Sequence, residues 1–247
     1  MRVKARFYFL SALLLLILSY QTFPQTNISS KQNSIYNPPT FENITVKDGL
    51  PENTVPSILQ DYLGYLWIGT QNGLVRYDGY TMKVFQLERD YSDKLNRKMI
   101  ITIFQDKYNT LWVGTWKSGL FKFNREYDSF KSYEYDPGDT RSINSNNIQC
   151  IYEDNNGKFW VGTTVGLNLF DRDSQIFTRY YFGDGDTLSH SATMSDHYNL
   201  CIHSIIEDPV SGDLLIGTAR DGLWRFNPEK KYFINTSSAT AIIMIKK

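Results

Sequence analysis

The three histidines are the side chains whose type is best suited to metal binding or acid–base catalysis. His190 and His197 lie in an insertion, residues 183–199, that also carries three aspartates, and His203 lies in a later segment of strand-like composition. Zinc and calcium sites place their ligands at recognisable spacings, none of which occurs here. We interpret the insertion as a solvated loop, with a metal or ligand loop as the alternative. We interpret His203 as a packing or hydrogen-bonding residue, and we expect neither a metal nor a cofactor.

Nucleophilic catalysis has equally little support. Cys150 and Cys201 are the two cysteines, and no CxxC or Gly-x-Ser-x-Gly motif is present. We interpret both as free core residues, with a disulfide as the alternative, which an exported protein would permit. Acidic residues recur at matching places in a repeat, which turn chemistry explains better than catalysis. We therefore expect a protein that is not an enzyme, with a lyase or hydrolase as a remote third class.

Ligand binding is the more plausible chemistry, and Trp116 with Lys117 is its best candidate. An indole beside cationic side chains suits an acidic or neutral sugar, through stacking and hydrogen bonds. Trp116 is also extra to the repeat, because three residues separate Thr115 from its glycine where two follow Thr70. For each residue alone, plain surface is the alternative. The further candidates are Gln71, Asn72, Arg220, Asp221 and Arg141, with Arg97 and the 183–199 insertion beside them.

These candidates would be positioned by a repeated element. The phrases LWIGT, LWVGT, FWVGT and LLIGT begin at residues 66, 111, 159 and 214. Trp67, Trp112 and Trp160 are separated by 45 and 48 residues, and Leu215 follows 55 residues later in place of a fourth tryptophan. A repeat of this length with four short strand signals is typical of a β-propeller blade. The sequence therefore predicts an all-β propeller.

Each unit reads in the same order, which predicts four strands per blade. A first strand ends in an aspartate turn, the Trp-containing phrase is the second strand, and a third and a more polar fourth strand follow. The tryptophans should be buried between blades, and the strand glycines should allow another chain segment to approach closely. Those glycines are Gly69, Gly114, Gly162 and Gly217. The units span roughly residues 55–87, 100–133, 148–182 and 202–234.

The two ends of the repeat region suggest a ring that is larger than four blades. Residues 41–44 resemble a fourth strand although they precede the first unit, and residues 242–247 align with the first strand of a fifth unit. We therefore interpret residues 41–247 as about four blades of a larger ring, cut inside the fifth blade. A complete ring of four blades is the alternative.

The start of the chain predicts export. Arg2, Lys4 and Arg6 precede an apolar stretch over residues 7–18, which is short for a spanning helix and fits a secretory signal. We interpret residues 1–24 as a signal peptide, with an uncleaved anchor as the alternative, and residues 25–40 as a linker. The 26 basic and 26 acidic residues cancel, which argues against a nucleic-acid platform.

With the units laid out, the chain resembles a known family. The run DGLPENTV at residues 48–55, the phrases above, the following Gly-Leu pairs and RYDG at residues 76–79 are similar to two-component regulator propellers. The linker DPGD at residues 136–139, with the serines and Asn146 that follow, is similar as well. The resemblance covers roughly residues 41–247. It implies a fragment of a seven-bladed ring from the periplasmic sensor region of hybrid histidine kinases of the Bacteroidota type.

The resemblance also implies partners. A parent protein would contribute further blades, a membrane attachment, a kinase core and in some cases a DNA-binding output domain, none of which occurs in these 247 residues. The expected ligand is an oligosaccharide or another small molecule, and a homodimer is compatible. The alternative function is a protein–protein interaction scaffold without small-molecule sensing.

Overall fold

The computed structural model describes residues 40–85, 99–182, 201–236 and 241–242. The chain divides into a unit of Met1–Asn43, of which only residues 40–43 are described, and a unit of Ile44–Lys247. The second unit begins with a short 3-10 helix, Val46–Asp48, which Thr45 caps.

Four antiparallel sheets follow one another along the chain. The first sheet contains β1 (Ser57–Gln60), β2 (Leu66–Thr70), β3 (Gly73–Tyr77) and β4 (Met82–Phe85). The second contains β5 (Ile100–Gln105), β6 (Leu111–Thr115), β7 (Leu120–Asn124) and β8 (Ser129–Tyr133). The third contains β9 (Ile148–Glu153), β10 (Phe159–Thr163), β11 (Leu167–Asp171) and β12 (Ile176–Tyr180). The fourth contains β13 (Ile202–Glu207), β14 (Leu214–Thr218), β15 (Leu223–Asn227), β16 (Tyr232–Asn235) and β17 (Ala241–Ile242).

Within each sheet the strands lie side by side in chain order, as hairpin-linked blades of a propeller do. The predicted all-β fold with four repeated blades is confirmed. The phrases LWIGT and LWVGT form the second strands of the first and second sheets. The phrases FWVGT and LLIGT form the second strands of the third and fourth sheets.

The aspartate turns form as their sequence predicts. The amide of Gly64 donates to the carbonyl of Asp61 at 2.9 Å, and the amide of Asn109 donates to Asp106 in the same way. Asn109 stands where the first turn has Gly64, and its φ of 62° shows that it adopts the left-handed backbone of that position. The first strand therefore reverses into the second at a tight, fully hydrogen-bonded turn.

The core lies between the sheets. Trp67 is fully buried and packs with Ile100 and Ile103 of the second sheet. Trp112 contacts residues of the third sheet, and Trp160 those of the fourth, in the same manner. The tryptophans therefore fill the interfaces between successive blades, where the sequence placed them.

The strand glycines make this close approach possible. A Cβ on Gly69 would lie 2.6 Å from a methyl carbon of Ile100, and one on Gly114 would lie 2.6 Å from Ile148. Contacts that short do not occur between real side chains, so alanine would force the two sheets apart. The glycines are thus required by packing rather than by backbone conformation.

The structure differs from the sequence-based expectation in three places. Residues 41–44 form no strand, and Phe41 is 89% exposed. Ala241–Ile242 pairs with β16 as a fifth strand of the fourth sheet, where we expected the first strand of a fifth unit. His203 is exposed at a β-bulge in β13, so the expected packing role is wrong.

Several predictions fall outside the described residues. They are the signal peptide over 1–24, all but the last residue of the linker over 25–40, Arg97, the insertion with His190 and His197, and residues 243–247. Among the residues that the structure does describe, none belongs to a helix with the length and apolar character needed to cross a bilayer.

Candidate functional site

The turns between second and third strands lie on one face of the blade stack. The first strands of neighbouring sheets are aligned start to start, since Gly69 at the end of β2 meets Ile100 at the start of β5. Strands alternate in direction within every sheet, so the second-to-third-strand turns all emerge at the same end. We call this end the threonine-turn face, and the opposite end, where Asp61 and its equivalents lie, the aspartate-turn face.

A threonine closes each turn on the threonine-turn face. The hydroxyl of Thr70 donates to the carbonyl of Gly73 at 2.8 Å and accepts the amide of Asn72 at 3.1 Å. Thr115 does the same for Gly119 and Ser118. Because the turn backbone is satisfied internally, the side chains between threonine and glycine can serve other contacts.

Trp116 and Lys117 emerge together from the turn of the second sheet. Trp116 is half-buried and its amide donates to the carbonyl of Met99 at 2.9 Å. Lys117 is exposed, has a φ of 73°, and its amide donates to the side-chain oxygen of Asn147 at 2.8 Å. This anchoring to the segment ahead of the third sheet fixes the turn in an unusual conformation for a lysine.

The other candidates on this face lie in the equivalent turns. Gln71 is exposed and Asn72 half-buried in the first sheet, and Arg220 and Asp221 are exposed in the fourth. The carboxylate of Asp221 accepts the indole N–H of Trp224 at 3.1 Å, so it also orients a buried ring of its own sheet. The face thus combines an indole, amides and charges of both signs.

Arg141 lies elsewhere. Its carbonyl accepts the amide of Phe177 in β12 at 2.8 Å, close to the end of the sheet opposite the threonine turns. Its guanidinium pairs with Asp139 at 3.0 Å, and that ion pair lowers the pKa of Asp139 and raises that of Arg141. Arg141 therefore does not join the other candidates.

A groove follows the outer edge of the third sheet beside Arg141. It encloses about 370 Å³ between the linker ahead of β9 and the turn into β12. Its lining includes Tyr133, Asp139, Ser142 and Ser174. The groove is polar and open, and it is separate from the threonine-turn face.

The aspartate turns carry a contact that the sequence reasoning missed. The indole N–H of Trp112 donates to Asp106 at 2.9 Å, and the other two tryptophans bind the aspartate six residues earlier in the same way. Arg125 of the second sheet also donates to Asp61 at 2.8 Å. The constant interval of six residues from aspartate to tryptophan was the available signal.

The environment of Asp61 sets its ionisation. Burial on its own would raise the pKa of Asp61, but the hydrogen bonds from Trp67 and Arg125, together with the charge of Arg125, outweigh burial. The pKa of Asp61 therefore lies below its ordinary value. The carboxylate form is the one that holds the turn, the indole and the neighbouring sheet together.

The aspartate-turn face exposes a different set of side chains. Tyr62 is 54% exposed, Tyr108 is 64% exposed and Val210 is 94% exposed. The guanidinium of Arg125 lies 4.9 Å from the ring centre of Tyr62, and that of Arg172 lies 5.4 Å from Tyr108. Exposed apolar side chains that recur on one face are suited to protein contacts.

The described residues offer little for nucleophilic catalysis or for metal binding. Cys150 and Cys201 are free thiols, and burial raises the pKa of Cys150 to about 12. A thiol held protonated in this way is a poor nucleophile. Within the described ranges, no group of three His, Cys, Asp or Glu side chains is arranged to hold a metal ion.

Comparison with known proteins finds a family model that matches three segments of the chain. The family model described as the two-component regulator propeller matches residues 49–72, 94–117 and 142–164. Each match runs from the segment ahead of a first strand to the end of the second strand or just beyond it. It therefore contains the aspartate turn, the tryptophan and the closing threonine.

One curated relative is the protein named histidine kinase P4 from Formosa agariphila. It is 34% identical over 133 residues, which is 50% of this chain and 10% of the relative. The extracellular domain assigned to a hybrid two-component system of B. thetaiotaomicron has a TM-score of 0.54 at 24% identity, covering 78% of this chain and 31% of that one. An extracellular domain assigned to a one-component system of the same organism has a TM-score of 0.61 at 20% identity, covering 80% and 27%. The chain thus spans about a tenth of the curated relative's length, and the structural likeness concerns the fold.

Proposed function

Because this chain carries two-component regulator propeller repeats, we propose that it is the exported ligand-sensing region of a sensor histidine kinase. The repeats occur in a chain that shares 34% identity over 133 residues with a histidine kinase. Its basic and then apolar first residues, ending near residue 18, favour export. In this proposal the kinase belongs to a longer parent attached to the inner membrane. The propeller itself binds rather than catalyses.

The proposed ligand is an oligosaccharide that binds on the threonine-turn face. The single observation that carries this is the pairing of half-buried Trp116 with exposed Lys117 in a turn whose backbone is already hydrogen-bonded. A sugar ring stacks on an indole, and its hydroxyls or a carboxylate accept from the ammonium group. Gln71 in the neighbouring sheet offers an exposed amide on the same face.

Sensing requires that the ligand prefer one arrangement of the blades. A ligand shifts a conformational equilibrium only by its difference in affinity for the two states. The turn that holds Lys117 is hydrogen-bonded to Asn147, which precedes the third sheet. A sugar bound there contacts the junction between two blades, where a change in their relative position would alter its contacts.

Calorimetric titration with oligosaccharides tests this proposal. The probes are fragments of neutral glucans, xylans and mannans, and of acidic polygalacturonate. We expect one class to bind, and the Trp116→Ala variant to lose at least tenfold in affinity. Tyr108→Ala, which removes an exposed ring from the aspartate-turn face, is the matched control and should bind as the unaltered protein does.

A protein–protein scaffold is the second candidate, and the aspartate-turn face favours it. Tyr62, Tyr108 and Val210 expose apolar surface there, although Arg125 and Arg172 stack beside the two tyrosine rings. If a protein partner binds, Tyr108→Ala should weaken it and Trp116→Ala should not. That result, with no sugar bound, would replace the sensing proposal by the scaffold. Turnover of a sugar by the purified protein would overturn both.

A further inference from the structure

Two cations and one carboxylate meet between the outer strands of the first and second sheets. Arg76 in β3 and Lys83 in β4 are cross-strand partners, so two like charges lie directly opposite each other. Like charges in this arrangement destabilise a sheet. Asp128, in the turn ahead of β8, offsets them, because its carboxylate pairs with Arg76 at 3.4 Å and accepts a hydrogen bond from Lys83. The carboxylate also joins the two sheets.

The second and third sheets repeat the two cations without the carboxylate. Lys122 in β7 and Lys131 in β8 form the same cross-strand pair. Gln175 occupies the place of Asp128, since each directly precedes an outer strand and each has a positive φ, 60° for Gln175 and 51° for Asp128. An amide carries no charge, so Gln175 cannot neutralise the two ammonium groups.

The two lysines find only uncharged partners. Lys131 donates to the amide oxygen of Gln175, and its ammonium group lies 5.3 Å from the ring centre of Tyr133. The ammonium group of Lys122 lies 5.6 Å from the ring centre of Trp112. Among the residues that the structure describes, no carboxylate forms an ion pair with either lysine. We call Lys122, Lys131 and Gln175 the lysine notch.

The interface between the third and fourth sheets follows a different charge pattern. Leu169 and Thr178 form its cross-strand pair, and Lys231 occupies the turn position with a φ of 58°. Because the two strand positions are neutral, a lysine in the turn meets no like charge there. Of the three interfaces in the described part of the chain, the lysine notch is therefore the one with two opposed cations and no anion.

The groove beside Arg141 opens onto the lysine notch. It encloses about 370 Å³, and its lining includes Gln175 and Tyr133, the two residues that Lys131 contacts. The rings of Tyr133 and Phe177, 6.0 Å apart, give the lining an apolar surface. A groove of this volume can hold a small organic ligand.

The acidic residues of the lining lie away from the notch. Asp139 is paired with Arg141 at 3.0 Å. Glu134 follows the end of β8, whereas Gln175 precedes the start of β12. Because β8 and β12 are equivalent strands of neighbouring blades, Glu134 and Gln175 lie towards opposite ends of the groove. The groove therefore has a cationic end at the notch and an acidic side chain at the other end.

We propose that this groove binds a small organic anion, whose carboxylate takes the place that the Asp128 carboxylate has in the first interface. The carboxylate accepts hydrogen bonds from Lys122 and Lys131, which are stronger than those between neutral groups. The body of the ligand lies against the ring of Tyr133, and Ser174 offers a hydroxyl to it. Uronic acids combine a carboxylate with a ring of this kind. The site is separate from the threonine-turn face and does not depend on oligosaccharide binding there.

NMR titration of the full chain with galacturonate tests the proposal, with galactose as the uncharged counterpart. Ionic strength is held constant, so that general screening of charge does not change. We expect saturable shifts of the backbone amides over residues 131–134 and 174–177 with galacturonate, and none with galactose. Trp116→Ala should bind galacturonate as the unaltered protein does, which separates this site from the threonine-turn face.

Gln175→Asp supplies the missing carboxylate from the chain itself, and Gln175→Asn is its matched control. Both new residues tolerate left-handed backbone, but only aspartate adds a charge. Gln175→Asp should weaken galacturonate binding by about tenfold or more, the worth of one charge-assisted hydrogen bond, and Gln175→Asn should leave it nearly unchanged. Without ligand, Gln175→Asp should have the higher thermal midpoint of the two variants at low salt, and the difference should shrink as salt is added.

Four results would overturn the proposal. Galactose binding as tightly as galacturonate would show that the charge is not recognised. Equal effects of Gln175→Asp and Gln175→Asn would show that the notch does not hold the carboxylate. Shifts confined to residues 115–119 would assign the anion to the threonine-turn face. A titration without saturable shifts would show that the groove does not bind the anion.

Discussion

The indole N–H of Trp67 donates a hydrogen bond of 2.8 Å to the carboxylate of Asp61, six residues earlier in the chain. The other oxygen of that carboxylate accepts the amides of Leu63 and Tyr65, which closes the turn. Arg125 of the next sheet donates to the oxygen that binds the indole. One buried side chain therefore connects a turn, a strand and a neighbouring blade.

Replacing Asp61 with asparagine should destabilise the fold. The amide oxygen can still accept the turn amides, but the new NH₂ group would face the donors of Trp67 and Arg125. Leaving buried donors without an acceptor costs about 1–3 kcal/mol each, so we expect a clear fall in the free energy of unfolding. Urea denaturation followed by tryptophan fluorescence measures it.

Asp208→Asn in the fourth sheet is the matched control. Leu215 replaces the tryptophan there, so no indole depends on Asp208, and asparagine can still accept the amide of Val210. The change in stability should be much smaller than for Asp61→Asn. Equal losses in the two variants would contradict the role assigned to the indole contact.

Stability should also fall in acid because of Asp61. Its pKa in the folded protein lies below the ordinary value of 3.8, which the unfolded chain retains. The carboxylate therefore stabilises the fold fully above about pH 4, and this contribution is lost as the pH falls through the lower folded pKa. Thermal midpoints measured from pH 6 to pH 2 should decline less steeply for Asp61→Asn than for the unaltered protein. Parallel curves would contradict this assignment.

Gly114→Ala should separate the second and third sheets. The added methyl would lie 2.6 Å from side-chain carbons of both Ile148 and Thr102, and both side chains are β-branched, which restricts their rotation out of the way. Overpacking of this kind costs about 1–3 kcal/mol. Gly138→Ala, where the nearest atom is a side-chain oxygen at 3.3 Å, should be nearly neutral in the same thermal denaturation experiment.

Two tryptophans four residues apart should respond very differently to truncation. Trp112 is 1% exposed and contacts Phe159 and Phe170, so Trp112→Ala should cost about 3–5 kcal/mol of unfolding free energy. Trp116 is half-buried in a turn that its backbone holds in place, so Trp116→Ala should change stability little. A large loss for Trp116→Ala would mean that its ring is structural, which would remove it from the ligand site.

Much of the architecture follows from local patterns in the sequence. The repeated phrase around Trp67 predicts the second strand because its neighbours alternate and its turns are encoded by aspartate, glycine and threonine. Asn109 could be assigned left-handed backbone from its place alone. Each of these features depends on a few adjacent residues, so it can be predicted from a single sequence.

What could not be predicted depends on contacts between distant segments. Ile242 aligns with a first strand but pairs with β16, because an apolar strand joins whichever edge is available to it. The fourth sheet places its indole at Trp224 on β15, with Asp221 as acceptor, where the other sheets use the second strand. Arg141 was grouped with the binding candidates of the threonine-turn face, but its backbone follows the outer edge of the third sheet.

Hydrogen–deuterium exchange with and without bound oligosaccharide shows whether the ligand lies on the threonine-turn face. The probe is the glucan, xylan, mannan or polygalacturonate fragment that binds most tightly in calorimetry. We expect slower exchange in residues 115–119 and in the equivalent turns over 70–73 and 218–222, and no change at the aspartate turns over 61–65 and 106–110. Binding that slows exchange only at the aspartate turns or along the groove beside Arg141, or a complete panel without any binding, would contradict it.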